Sequence, residues 1–536
     1  MPARTAVAIL ETLPRVANRR MELKFPQGRA PRVRLGFLID QRKCIGCHAC
    51  TVACKAEHDV PLGVNRTWVQ YVERGAFPNT RRFFQVNRCN HCDNAPCVAI
   101  CPTGALFKRE NGIVDFDNSK CIGCKACMEA CPYDAIYIDP AEHTAAKCNF
   151  CAHRVEEGLL PACVVVCPEE AIVTGDLDDP STLIAQLVAR EPVQVRKPEQ
   201  GTRPHVFYIG ADEATLDPLG SVSVGAYMWA DQPDAPAAGL EEPARDHAQA
   251  VKVYDAPHLR QPWGWMVSAY LWTKSVSAGA AILAGISALL AGGLPRWLTG
   301  VLNPLVALVF LGLTLLLLVA DLKRPERFWR LLLRPHLTSW LVWGGYILTA
   351  FGLVTTVFFA ASLLSGVPGG PLAVLLVLLG AAAAAYSAFL FGQAEGRDFW
   401  QNPLVFWHLL VQAGIAAAAL GLIETSITPS HALWPLAYAL LTLLLLHGLF
   451  TAAEFVLPHP SREVELAAHA VTRGALRRTF WGAAVVPGLL LPLALAVAAV
   501  LWHGAAMLPF AAVLALFGLA AYEHVWVQAG QIVPLT

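Results

Sequence analysis

All sixteen cysteines of this 536-residue chain lie between Cys44 and Cys167, and they form four groups of four. Cys44, Cys47, Cys50 and Cys54 follow C-x2-C-x2-C-x3-C, and Cys121, Cys124, Cys127 and Cys131 repeat that spacing with Pro132 next. Cys89, Cys92, Cys97 and Cys101 widen one gap to C-x2-C-x4-C-x3-C before Pro102. Cys148, Cys151, Cys163 and Cys167 widen it to C-x2-C-x11-C-x3-C before Pro168. A close trio of cysteines can wrap an iron–sulfur cubane, while the remote fourth commonly ligates the other cluster of a pair. At four thiolates per cluster, the sixteen cysteines suffice for four 4Fe-4S clusters with none left over.

Rival readings fit less well. C-x2-C-x2-C runs are too tight to pair among themselves as disulfides, which also need an oxidising compartment. Three cysteines at consecutive x2 spacing are rarely zinc ligands. Cys44-Ile45-Gly46-Cys47-His48 matches the haem-attachment pattern C-x-x-C-H, yet Cys50 and Cys54 carry the cluster spacing straight through it. His48 therefore reads as a local hydrogen-bond donor rather than an axial ligand. Lys-Cys-Ile-Gly-Cys occurs at 43–47 and again at 120–124, the mark of duplicated modules. Short apolar runs predict strands at 35–40, 112–116, 135–138 and 205–209. The chain thus divides into a basic arm (1–35), a cluster domain (36–210), a connector rich in Ala, Pro, Asp and Glu (211–262), and an apolar remainder (263–536).

That remainder is where composition matters. The chain is 55% apolar and 15% charged, well under the usual charged share of soluble domains, so much of it belongs in lipid. The net charge is zero, which gives nucleic acid no global attraction. Eight apolar stretches have the length to cross a bilayer: 266–290, 301–321, 339–362, 371–393, 403–423, 433–456, 480–502 and 505–527. Lys323, Arg324, Arg327, Arg330, Arg334, Arg397, Arg462, Arg473, Arg477 and Arg478 fall in loops on one side, and only Arg296 on the other. Basic loops are retained in the cytoplasm, so the cluster domain is expected on the cytoplasmic face of the inner membrane. Arg19-Arg20 invites a twin-arginine reading, but Glu22, Lys24, Arg29, Arg32 and Arg34 replace the apolar region an export signal needs.

These residues carry a resemblance. Residues 35–210 resemble the four-cluster electron-transfer subunits of the molybdopterin (DMSO-reductase-type) oxidoreductases, in the order and spacing of the cysteine groups and in Gly201-Thr202-Arg203-Pro204-His205-Val206-Phe207-Tyr208-Ile209. Residues 263–527 resemble the NrfD/PsrC-type membrane subunits, with Asp321-Leu322-Lys323-Arg324-Pro325-Glu326-Arg327-Phe328 as the recognisable motif. The two parts are usually separate chains, and here they form one fusion. The resemblance implies an α+β ferredoxin-like four-cluster domain followed by an all-α eight-helix transmembrane bundle. It also implies the cysteine sets. Cys44, Cys47 and Cys50 share a cluster with Cys167, and Cys54 joins Cys148, Cys151 and Cys163. Cys89, Cys92 and Cys97 join Cys131, and Cys101 joins Cys121, Cys124 and Cys127.

The function expected is an electron-transfer and membrane-anchor subunit, linking a molybdopterin-type catalytic subunit to a membrane quinone (menaquinone or ubiquinone). Quinone chemistry needs proton-exchanging side chains, and ionisable groups within spans are functional candidates. Lys274, Tyr386, Gln393 and His408 are the quinone-site candidates. Snorkelling competes for Lys274, and interhelical packing for His408. Asp321 is expected to pair with its basic loop and Glu395 with Arg397. His447, Glu454 and Glu424 suggest a proton path, and Trp263, Trp265, Trp340 and Trp343 interface anchors. The alternatives are a proton-translocating subunit of a larger respiratory complex, or a wire and anchor for a hydrogenase.

Overall fold

The computed structural model describes residues 33–75, 78–223, 250–256, 261–290 and 293–536. Nearly all of the basic arm and residues 224–249 of the connector lie outside the described residues. The strands are β1 (Leu35–Asp40), β2 (Thr67–Arg74), β3 (Arg81–Arg88), β4 (Leu106–Lys108), β5 (Val114–Phe116), β6 (Ile136–Ile138), β7 (Ala145–Lys147), β8 (Ile172–Asp176), β9 (Val193–Gln194), β10 (Val206–Ile209), β11 (Ser221–Ser223) and β12 (Ala250–Tyr254).

Every residue of β1 is buried, as its unbroken apolar run requires of a central strand. It lies in a sheet of order β8-β1-β10-β9, parallel to β10 with Phe37 opposite Val206. The first and last expected strands of the cluster domain are therefore neighbours. The other two expected strands, β5 and β6, form two-stranded antiparallel pairs with β4 and β7. A second sheet has order β11-β12-β2-β3. The connector contributes to this sheet: β12 runs antiparallel to β2, with Lys252 opposite Val72. Val251 and Val253 supply the β-branched residues that favour this strand.

The two Lys-Cys-Ile-Gly-Cys repeats fold alike. Gly46 and Gly123 have φ of 70° and 69°, and His48 and Lys125 have φ of 60° and 63° at the start of the short helices that follow. Two left-handed residues curl the loop tightly, and the glycine takes the first because it has no Cβ to clash. His48 packs its ring beside Tyr71 and Tyr254.

The second half is helical: α1 (Trp265–Leu289), α2 (Leu298–Ala320), α3 (Trp340–Ser365), α4 (Pro371–Gly392), α5 (Val405–Ile427), α6 (Leu433–Val456), α7 (Arg477–Trp502) and α8 (Ala505–Ile532). Among the described residues seven of these, α2 to α8, are long and apolar enough to cross a membrane. Helix α1, the first of the eight expected spans, has the length but is the more polar one. Helix α1 carries Ser268, Thr273, Lys274, Ser275 and Ser277, all buried. It packs against α2, α4, α5 and α8, so protein rather than lipid surrounds its polar groups.

The cluster domain sits on the end of the bundle where the basic loops emerge. Lys125 reaches Asp321 at 2.8 Å, Arg397 reaches Glu129 at 2.7 Å, and Lys197 reaches Glu463 at 2.7 Å. The amides of Lys323 and Arg324 donate to the carbonyls of Gly123 and Ile122, and Arg327 Nη1 donates to the Cys121 carbonyl at 3.0 Å. Asp321 and Arg397 therefore bind across the boundary, not within their own loops as expected. Arg324, Arg327 and Arg397 of the loops go to the cluster domain, while Lys125 and Lys197 of that domain reach back to carboxylates of the bundle.

Candidate functional site

None of the sixteen cysteines is in a disulfide, and most are buried. Cys44, Cys47, Cys50 and Cys167 line one hollow, and Cys101, Cys121, Cys124 and Cys127 line another. Cys148, Cys151 and Cys163 are the thiols whose charge bears on Cys54, and Cys89, Cys92 and Cys131 are those that bear on Cys97. The neighbours within each set are thus the four groupings that the resemblance implied. No three such side chains among the described residues come together tightly enough to hold a single metal ion. Thiols ranged around a hollow suit a cluster and not a zinc ion. Burial pushes the Cys50 and Cys151 thiols up to about 12. In these surroundings a thiolate needs a bound cation, which iron would provide.

The sets form a line. Cys50 has Cys163 of the next set as an electrostatic neighbour, Cys148 has Cys89, and Cys127 has Cys97. The first set is the most open, with Cys47 exposed. The last abuts the bundle: His336 Nδ1 bonds the Cys101 carbonyl at 3.0 Å, and Trp263 Nε1 donates to the Cys124 carbonyl at 3.2 Å. Trp263 is therefore buried beneath the cluster shell, stacked on Trp400. It is not the interface anchor expected. Trp265 and Trp343 are exposed as an anchor would be, and Trp340 stacks on Phe389.

Between the first and second sets lies Arg88, fully buried, with Nη1 donating to Cys163 Sγ at 3.2 Å and its guanidinium over the Phe37 ring. A charge-assisted donor to a ligand sulfur stabilises the reduced, more negative cluster. Arg88→Leu should lower the potential of a cluster that Cys163 would help to hold by roughly 60–120 mV, the equivalent of one charged hydrogen bond. Redox-titrated electron paramagnetic resonance checks this.

The membrane half holds a cavity between α1, α5 and α8, lined by Leu271, Val405, His408, Leu409, Gln412, Tyr522, Glu523 and Trp526. Gln412 Oε1 and Glu523 Oε2 are buried without a hydrogen-bond partner among the described residues. His408 Nε2 meets His447 Nδ1 at 2.7 Å, and its Nδ1 lies 3.3 Å from the Tyr522 hydroxyl. Tyr522 donates to Glu454, whose other oxygen accepts from Trp526 Nε1 at 2.7 Å. Phe391 and Trp400 bridge Trp263 to Trp526, so an aromatic layer separates the last cysteine set from this cavity.

Of the four residues expected at such a site, His408 lines the cavity. Lys274 stands behind it: its ammonium is buried, donates to Ala384 O at 2.8 Å and Ser387 Oγ at 2.6 Å, and lies over the Tyr386 ring. It does not snorkel. Ser275 links this layer to the cavity by donating to Glu523. Gln393 is elsewhere, accepting from the Trp340 amide and donating to the Thr338 carbonyl, which ties α4 to the start of α3. Tyr522 and Glu523 were missed, although an ionisable pair inside the eighth span was a readable signal.

A family model described as "Polysulphide reductase, NrfD" matches residues 256–534, just over half the chain. The chain belongs to the NrfD family. Two models described as "4Fe-4S dicluster domain" match residues 43–106 and 80–177 of this NrfD-family chain. A subunit of the tetrathionate reductase of Salmonella typhimurium is 49% identical over 208 residues, 37% of this chain and 83% of that protein. The arsenate respiratory reductase iron-sulfur subunit ArrB of a Shewanella species is 38% identical over 228 residues, 33% of this chain and 96% of its own. The thiosulfate reductase electron transfer subunit PhsB of Salmonella typhi is 51% identical over 146 residues, 27% and 76% of the two chains. This NrfD-family protein joins an iron–sulfur electron-transfer part to a multi-pass membrane part in one polypeptide.

Proposed function

We propose that the chain is the electron-transfer and membrane-anchor subunit of a multisubunit oxidoreductase, working between a molybdopterin-type catalytic subunit and membrane quinone. Residues 36–210 form a ferredoxin-like domain holding four 4Fe-4S clusters in the sets described, and residues 263–536 form an eight-helix membrane domain with α1 as its polar central span. The partner docks at the open end, near exposed Cys47, and supplies the substrate chemistry. The similarity to reductase iron–sulfur subunits favours that arrangement. The basic loops share a side with the cluster domain, which favours a cytoplasmic location for it.

The observation that carries the quinone reading is the cavity behind Trp263 and Trp526, with His408, Tyr522 and Glu523 on its wall and two orphaned oxygens. A quinone carbonyl needs donors and a proton source beside an apolar slot. His408 and Tyr522 can supply both, with the Lys274 amine one layer behind them. Tyr386 and Gln393 position helices around the site.

In the purified, cluster-loaded protein, His408→Ala should slow reduction of a soluble quinone analogue by about a hundredfold or more, the usual scale for a lost proton-transfer group. Lys274→Ala should slow it less, since that ammonium is one layer back. Cluster spectra should stay unchanged in both. Wild-type quinone kinetics in His408→Ala with intact clusters would remove the cavity as the quinone site.

A further inference from the structure

The polar groups of the bundle are unevenly distributed. His447, His408, Tyr522 and Glu454 form one hydrogen-bonded string that meets the cavity at His408 and Tyr522. Glu454 is its outer end. It lies two residues before the close of α6, beside exposed Val456 and Leu457, and the side chain of Asn402, in the loop between α4 and α5, also bonds it. Both of those chain segments are at the cluster-domain end: Asp398, in the same loop as Asn402, accepts from Gln200 of the cluster domain, and Glu463, just past α6, pairs with Lys197.

Away from the cluster domain the string has no continuation. Residues 413–423 of α5 are Ala, Gly, Ile and Leu, and residues 508–521 of α8 are likewise apolar. Residues 433–446 of α6, 371–385 of α4 and 278–289 of α1 carry no carboxylate, histidine or lysine. The next ionisable group is Glu424, which accepts from Asn303 Nδ2 at 3.1 Å. It lies twelve positions along α5 from Gln412, about 18 Å at the helical rise. Among the described residues, these stretches of α1, α4, α5, α6 and α8 thus hold no carboxylate, histidine or lysine to carry the string across.

Resting on the quinone reading above, we propose that the protons exchanged with the quinone enter and leave on the cluster-domain side, through Glu454, Tyr522 and His408, and that none crosses the bundle. The balance is simple. Two electrons arrive singly through the iron–sulfur clusters, two protons arrive through Glu454, and quinone becomes quinol. Electrons and protons then come from the same side, so the step moves no net charge across the membrane. Tyr522 is the obligatory link, because its hydroxyl is the contact between the histidine pair and Glu454.

The test uses the full, cluster-loaded chain in sealed phospholipid vesicles with a quinone analogue in the bilayer. Molecules with the cluster domain outward are addressed by an impermeant, reduced sulfonated viologen, a one-electron donor that carries no protons. The expected result is uptake of about two protons from the outer medium per quinone reduced, with no change in a dye trapped inside. An inner pH change that tracks turnover would overturn the proposal. No quinone reduction at all would instead overturn the quinone reading on which it stands. Glu454→Gln and Tyr522→Phe should each slow reduction by about a hundredfold, with quinone-analogue binding retained and an increased solvent deuterium isotope effect. Unaltered rates in both variants would remove the route through these residues.

Discussion

Cys101→Ala is expected to disconnect the cluster domain from the membrane while leaving most of its metal in place. Cys101 is the only member of its own motif in the hollow with Cys121, Cys124 and Cys127, and this hollow is the one against the bundle. A trio without its fourth thiolate holds a complete cubane poorly, so on the proposed four-cluster reading iron should fall by up to about four atoms per chain, with the other three clusters spectroscopically intact. Reduction of the first three clusters by a soluble donor should proceed as in the wild type. Quinone reduction should fall to background, because the next set, with Cys97 and Cys131, is a whole cluster further from Trp263 and the cavity. A variant at the opposite end of the line, Cys47→Ala, gives the contrast: it should lose the open-end cluster yet retain quinone reduction from donors that reach the later clusters. Full quinone reduction by Cys101→Ala would show that electrons leave the wire elsewhere. Thermal stability should change little, since the His336 bond is to the Cys101 backbone carbonyl and survives the substitution.

The iron–sulfur half was readable because its cysteine spacing is rigid chemistry. Fixed gaps and two identical Lys-Cys-Ile-Gly-Cys repeats leave few backbone solutions, and the paired left-handed residues at Gly46 and His48, and at Gly123 and Lys125, recur as one conformation. The apolar spans were readable for the equally blunt reason of length, and their bounds shifted by only a few residues. Pairing across the domain boundary was not readable. Asp321 and Arg397 were assigned to loop neighbours because sequence shows only what is near along the chain, whereas Lys125 and Glu129 come to them from about two hundred residues or more away. Ionisable residues in the spans were legible as a class, but their grouping was not. Helix rotation decides that His408 and Tyr522 meet at a cavity, that Lys274 turns to Ser387, and that Gln393 faces the start of α3. Hydropathy is silent about rotation in helices that are apolar on nearly every face.

Glu129→Ala should loosen the joint between the two halves more than any other single change at their boundary. Glu129 is completely buried in the cluster domain and meets Arg397 of the bundle, 6% exposed, at 2.7 Å. Burial drives the Glu129 carboxyl up from its ordinary value against the pull of the guanidinium, the sign that desolvation outweighs attraction here. Such a bridge adds little net stability, yet breaking it is costly. With the carboxylate gone, Arg397 would keep a buried charge and retain only the Val533 carbonyl, at 3.0 Å, among its bonds at this joint. The expected loss is about 3–5 kcal/mol of docking. It would be seen as protease release of the cluster domain and a separate, earlier thermal transition by calorimetry in detergent. Close packing leaves little room to relax: a Cβ at Gly396 would already lie 2.7 Å from the Glu129 carbonyl and 2.9 Å from Cys131. The double substitution Glu129→Met with Arg397→Met removes both charges at similar volume and should recover most of the loss, short of the bond to Val533. If the single variant melts as the wild type does, this ion pair does not hold the halves together, and Lys125–Asp321 and Lys197–Glu463 become the bridges to break next.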